Sequence, residues 1–228
     1  MHSTKQNLQV LHEDNHLIIV NKRAGDIVQG DKTGDKPLSD VVKEYIKDKY
    51  NKPGAVFLGT VHRLDRPTSG VVIYARTSKA LERLNKMLRE KSIKKTYWAV
   101  VKNQPKKAAD TLIGFLKKNP KNNKSTSYSK EVDGSKKAIL HYQTKKKLDN
   151  YSLLEVDLET GRHHQIRVQL SSIGSTIKGD LKYGAKRSNK DGSIHLHARK
   201  IEFIHPVSKE LVKVTAPTPK DSIWDACM

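Results

Sequence analysis

The residues best suited to chemistry in this 228-residue chain fall in one short stretch. Residues His62–Gly70 read HRLDRPTSG and lie between two apolar runs. One carboxylate, Asp65, stands between Arg63 and Arg66, and an aspartate flanked by guanidinium groups keeps its charge at neutral pH. Held away from water, such a carboxylate can act as a nucleophile or a general base. Pro67 and Gly70 impose a defined turn, and Thr68 and Ser69 can bond local backbone. The same residues would also make a salt-bridged turn joining two strands, so spacing alone leaves both readings open. His195 and His197 share one face if their segment is a strand, which invites a metal. No third ligand falls at a suitable spacing, and no metal is expected. Gly161 and Gly179 read as turn glycines, not as a dinucleotide fingerprint.

Several elements must position these residues. Val10–Val20 reads as a short strand pair, with Leu17–Val20 as its buried member. Leu38–Tyr50 reads as a helix capped by Ser39, with Val42, Tyr45, Ile46 and Tyr50 on one face and Pro53-Gly54 closing it. Ser78–Arg89 is the clearest helix: Ala80, Leu81, Leu84, Met87 and Leu88 recur at helical spacing behind Ser78 as cap. Val71–Ala75, Tyr97–Val101, Tyr151–Leu158 and Ile201–Ile204 read as strands, and His164–Ser172 as the start of a helix. In such a strand Trp98 points to the face opposite Tyr97 and into the core. Strands outnumber helices and do not alternate with them regularly. That pattern predicts an α+β fold with a largely antiparallel or mixed sheet, against a doubly wound parallel one. No repeat and no Pro/Gly/Ser linker interrupts the chain, so one domain is expected.

Charge names the class of partner. Lys and Arg number 44 against 24 Asp and Glu, a formal net charge of +20. Polyanions are the natural counterpart of such a chain. Ten lysines and only two acids, Glu131 and Asp133, lie between Lys117 and Lys147, with turn residues among them. A polar loop or hairpin is expected there. It lacks an amphipathic apolar stripe, which argues for nucleic acid over membrane. Lysine outnumbers arginine, which favours diffuse phosphate attraction over base reading. One cysteine, Cys227, excludes an internal disulfide framework. No apolar run reaches the roughly 18–20 residues of a membrane helix. No signal core opens the chain, so a cytoplasmic protein is expected.

The HRLDRPTSG stretch resembles the signature of the RluA-type family of RNA pseudouridine synthases, His-Arg-Leu-Asp, two variable residues, Thr-Ser-Gly. Four further landmarks follow the family's order: LHEDNHLIIVNKRAG at 11–25, KKTYWAVV at 94–101, LETGRHHQIRVQLSSIGSTIKGDLKYG at 158–184, and HLHARKIEFIHP at 195–206. The resemblance spans roughly residues 8–217, with 1–7 and 218–228 as terminal tails. It implies the pseudouridine synthase core, a bent mixed sheet with flanking helices and a central RNA cleft. It also implies the short form, without the small basic N-terminal domain of many relatives. A monomer is expected.

The reaction implied is isomerisation of uridine to pseudouridine in ribosomal or transfer RNA. It involves no redox change and no net hydrolysis, so it calls for no cofactor. By resemblance Asp65 is the catalytic carboxylate, attacking the anomeric carbon or abstracting a sugar proton. Arg167 pairs with it. Tyr97 stacks on uracil and helps to deprotonate the turned base. Arg63 enters the space left by the flipped nucleotide, and Arg162 and His164 hold RNA or their own loop. Arg23 stands where the family has proline, His163 where Thr or Ser is common, and Gln169 where His is common. Two other readings of the same residues are a non-catalytic RNA chaperone or ribosome-assembly factor, and an aspartate-dependent nucleoside hydrolase.

Overall fold

A computed structural model describes residues 2–228. In chain order the elements are β1 (Val10–Glu13), β2 (Leu17–Lys22), α1 (Leu38–Lys49), β3 (Gly59–Thr60), β4 (Ser69–Ala75), α2 (Ser78–Arg89), β5 (Lys94–Val101), β6 (Ala109–Asn119), β7 (Lys124–Tyr128), β8 (Lys136–Lys147), β9 (Ser152–Leu158), α3 (Gln165–Ser172), β10 (Leu196–Ile204), β11 (Leu211–Thr215) and α4 (Ser222–Cys227). The class is α+β, as the irregular order of elements predicts. No helix among the described residues is long and apolar enough to cross a membrane.

The chain divides into two compact units. Unit 1 holds the residues up to Lys94 together with Ala198–Pro219, and unit 2 holds Lys95–His197 with Lys220–Met228. No linker composition marks the division, because the chain passes it within β5 and again within β10.

In unit 1 the strand order is β1-β2-β4-β10, with β11 on β10 and β3 on β4. The LIIV run of β2 is apolar throughout because both faces of this sheet are covered. Leu17 and Ile19 pack with Ile73, Ala80 and Leu84, under α2. Ile18 and Val20 pack with Val72, Tyr74, Val42 and Ile46, under α1. The α2 bounds match the periodicity, but its cap is Thr77, whose hydroxyl accepts from Ala80 N. Helix α1 likewise begins one residue before the expected cap. Pro37 holds the cap position in extended backbone, and Ser39 is buried in the first turn.

Unit 2 is an antiparallel sheet in the order β5-β9-β8-β6-β7. The basic stretch is therefore three strands of this sheet, β6 to β8, joined by hairpin turns. On one face Leu116 and Ala138 pack with Val168 of α3 and with Tyr183. On the other, Val100 and Leu153 pack with Trp224 and Cys227 of α4. Residues 220–228 thus build core instead of trailing as a tail.

Candidate active site

The Asp65 turn belongs to unit 1 and feeds directly into β4. It closes through Thr68 N donating to Asp65 O at 3.0 Å. Just before it, His62 Nε2 accepts from Ile73 N at 3.1 Å, which ties the incoming chain to the strand leaving the turn. Gly70 is required twice over. Its φ is +115°, and a Cβ there would lie 2.8 Å from the Ala198 carbonyl carbon and closer still to that residue's N and O.

Behind the turn lies Lys22, fully buried at 0% exposure. Its ammonium donates to three carbonyls: Arg23 O at 2.9 Å, Arg66 O at 3.1 Å and Thr68 O at 2.7 Å. Gly25 N also donates to Arg66 O, at 2.8 Å. Burial pushes the Lys22 pKa from 10.5 down to about 7, against the opposing pull of Asp26 and Asp65. Asp26 is itself held by Ser3 N at 3.1 Å and Ser3 Oγ at 2.6 Å, so the second and third residues of the chain brace the same loop as His2 Nδ1 approaches at 3.1 Å. Arg66 Nη1 pairs with Asp35 at 2.7 Å on the surface. A cation set into the base of the turn is Lys22, which local spacing gives no reason to select. Arg63 is exposed, and Asp65 is half-buried.

The other candidate residues lie in unit 2. Tyr97 is on β5, buried, and opposite Val156 of β9. Trp98, on the other face, is half-buried against the α4 cluster, and its indole N–H donates to Glu155 at 3.2 Å. The TGRHHQ segment is stitched to β8. Gln165 Oε1 accepts from Arg162 N at 3.0 Å and from Thr160 Oγ1 at 2.8 Å, while Gln165 Nε2 donates to Ile139 O. Arg162 Nε donates to Lys137 O at 2.9 Å, so this arginine holds its own loop.

His164 sits at the head of α3 in the left-handed region, at φ +55°, which is costly for a residue with a side chain. Its ring stacks on His163 at 3.8 Å and meets the Tyr183 hydroxyl through Nδ1 at 2.8 Å. The same hydroxyl accepts from Ser125 N at 2.8 Å.

Arg167 is buried, and its guanidinium forks onto Asp180: Nε to Oδ2 at 2.7 Å and Nη2 to Oδ1 at 2.8 Å. The guanidinium carbon also lies 5.1 Å from the centre of the Tyr183 ring. Two parallel charge-assisted bonds fix the plane of the arginine. A guanidinium carries five donors, so the fork leaves capacity for other acceptors. In the sequence, Asp180 and Tyr183 are legible only as letters of the GDLKYG landmark.

Two departures from the family pattern have placements. Gln169 is buried and donates to Leu112 O at 3.2 Å and Ala138 O at 3.4 Å, bracing the sheet beneath α3. His163 meets Ser125 Oγ through Nδ1 at 2.9 Å. His195 and His197 are buried. His195 Nδ1 accepts from Asn189 and its Nε2 donates to Asp221, with Trp224 stacked on its ring. Burial pushes its pKa down, which suits this neutral tautomer.

A family model described as RNA pseudouridylate synthase matches residues 16–172. The chain belongs to the RNA pseudouridylate synthase family. Its reaction class is therefore the isomerisation of uridine to pseudouridine in RNA. An uncharacterised RNA pseudouridine synthase of Synechocystis is 35% identical over 93% of this chain and 66% of its own length. The ribosomal large subunit pseudouridine synthase D of Zymomonas mobilis is 34% identical over 94% and 70%. The chain thus spans about two thirds of the length of these pseudouridine synthases. Among solved structures, human RNA pseudouridylate synthase domain containing 4 superposes with a TM-score of 0.78 at 23% identity, over 93% of this chain and 89% of that one. That likeness establishes the pseudouridine synthase fold.

Proposed function

We propose that the protein converts selected uridines of structured ribosomal or transfer RNA to pseudouridine, with Asp65 as its catalytic carboxylate. The observation that carries the reading is the Asp65 turn. It holds a half-buried carboxylate on backbone fixed by Lys22, Gly25, Thr68 and the His62–Ile73 bond. A group that must meet a ribose at one angle requires such a mount.

In the reaction the N1–C1′ bond of uridine breaks, the uracil turns, and a C5–C1′ bond forms. A proton leaves C5 and a proton ends on N1. Atoms and electrons balance without an outside oxidant, reductant or water. Asp65 acts at the sugar, by attack on C1′ or by removing a ribose proton. Tyr97 stacks on the uracil and assists loss of the C5 proton. Arg167, its plane set by Asp180, orients and stabilises the carboxylate. Arg63 fills the space vacated by the flipped nucleotide. Arg162 and His164 shape the loop that meets RNA. Flipping costs a few kcal/mol, which backbone contacts from the lysine-rich surface offset. The protein acts as a cytoplasmic monomer.

RNA carrying tritium at C5 of uracil tests this. The wild type should release tritium, and Asp65→Asn and Asp65→Ala should not. Release from both variants at the wild-type rate would remove Asp65 from the mechanism. Free uracil among the products would instead indicate hydrolysis.

A further inference from the structure

The β6–β8 part of unit 2 has two unlike faces. Leu112, Gly114 and Leu116 alternate onto the face that α3 covers, which leaves Ile113, Phe115 and Lys117 on the other. Register fixes their neighbours. Ile113 lies directly opposite Ile139. Phe115 lies between Tyr128 of β7 and Lys137 of β8, and Lys117 lies opposite Thr126. Helix α4 covers this face near Val100 and Leu153, at the β5/β9 end. At the β6–β8 end Ile113 is 62% exposed and Tyr128 37%. Lys117, Thr126 and Lys137 are exposed as well, with Phe115 and Ile139 half-buried between them.

An aromatic pair set across two strands and flanked by ammonium groups offers a stacking surface beside phosphate contacts. Between residues 117 and 137 there are seven lysines, Lys117, Lys118, Lys121, Lys124, Lys130, Lys136 and Lys137, against Glu131 and Asp133. Such a charge repels a second copy of itself. Lysine is also depleted at the centre of protein–protein contacts. A polyanion with exposed flat bases satisfies both halves of the surface.

We propose that this open sheet face is a second RNA contact, in which Phe115 and Tyr128 stack on unpaired bases and Lys117 and Lys137 hold the adjoining phosphates. The proposal rests on the reading that the protein works on RNA, and it adds where and how unpaired nucleotides are gripped away from the reacting uridine.

The test is a titration of the full-length Asp65→Asn protein with a fluorescein-labelled 12-nucleotide oligouridylate across salt. The Phe115→Ala/Tyr128→Ala pair should weaken binding by about five- to hundredfold and leave the salt slope unchanged. Lys117→Ala/Lys137→Ala should flatten the slope of log affinity against log salt by about 1.4. Phe115→Trp should keep the affinity, and its indole emission should quench on binding. Equal affinity of the double alanine variant and its parent overturns the proposal. So does a wild-type dimer in sedimentation that Tyr128→Ala dissociates, because that gives the face to a second copy. A measurement independent of variant folding is photocross-linking of 4-thiouridine oligonucleotide to the wild type. Adducts on the peptides holding Phe115 or Tyr128 support the platform, and adducts confined to other peptides refute it. Tritium release is read separately, so loss of the platform and loss of the Asp65 assignment give different results.

Discussion

Replacing Lys22 with methionine isolates the support of the Asp65 turn. Methionine has similar length and no charge, so it keeps the packing and removes three donors from the carbonyls of Arg23, Arg66 and Thr68. Gly25 N still serves Arg66 O, so two acceptors, Arg23 O and Thr68 O, lose their Lys22 donor; at about 1–3 kcal/mol each the substitution should cost about 3 kcal/mol at pH 9. At lower pH the balance changes. Lys22 has a folded pKa near 7 against 10.5 when exposed. Between those values the unfolded chain binds a proton that the folded chain does not, so wild-type stability rises with pH across that window. The slope is at most about 1.4 kcal/mol per pH unit, or about 2.7 kcal/mol between pH 7 and 9. Below pH 7 the wild type bears the full burden of a buried ammonium, and Lys22→Met should be almost as stable as wild type at pH 6. Paired urea unfolding curves at pH 6 and pH 9 measure the difference. A cost independent of pH, or larger at pH 6, would show that the carbonyls keep the ammonium protonated and that burial does not dominate. Turnover should fall about a hundredfold with RNA affinity retained, since a displacement of about 1 Å at the reacting carboxylate has that effect. Unchanged turnover in a folded variant would show that the turn holds its shape without Lys22.

Three other perturbations have definite outcomes. Gly70→Ala should lower stability by about 3 kcal/mol or more in thermal melting, because both its φ and the Ala198 backbone oppose a side chain, and an unchanged melting temperature would contradict the geometry. Asp180→Ala should destabilise by about 3–5 kcal/mol because the buried Arg167 guanidinium loses its carboxylate fork, and Arg167→Lys should lose turnover because an ammonium cannot make the fork; wild-type tritium release from Arg167→Lys would separate the fork from catalysis. Trp224→Ala should cost about 3–5 kcal/mol in urea unfolding by hollowing the Val100–Leu153 core, whereas a tail residue would cost nothing.

Local patterns in the sequence anticipated much of this molecule. The α2 heptad spacing gave both ends of that helix, and the LIIV run gave β2, because periodicity is a local consequence of which faces are buried. The caps slipped by one residue at α2, from Ser78 to Thr77, and by two at α1, from Ser39 to Pro37, since neighbouring polar or turn residues are nearly equivalent as caps before the fold is known. The basic stretch read as loop or hairpin because lysine is a poor strand former. Ala138, Leu140 and Tyr142 do recur at every second position there, but the apolar Ile139 between them and the lysines at both ends dilute the signal. The residues that fix the candidate site were not legible as partners. Lys22 bonds Thr68 across 46 positions, and Arg167 bonds Asp180 across 13, and no local spacing rule reaches that far. The resemblance supplied Asp65, Tyr97 and Arg167 by position, while the groups that hold the Asp65 turn and Arg167, Lys22 and Asp180, emerged only from the fold.

The passage of β10 from unit 2 into unit 1 has a consequence for synthesis. The first 94 residues lack a strand until Ala198–Ile204 are made, 104 positions later. At about 5–20 residues per second, β4 and the turn that carries Asp65 wait about 5–20 s with one sheet edge open. Gly70, which fits only against Ala198, has nothing to fit against during that time. The nascent amino-terminal segment thus carries an incompletely paired β4 edge, a kind of surface that favours aggregation, until β10 closes it.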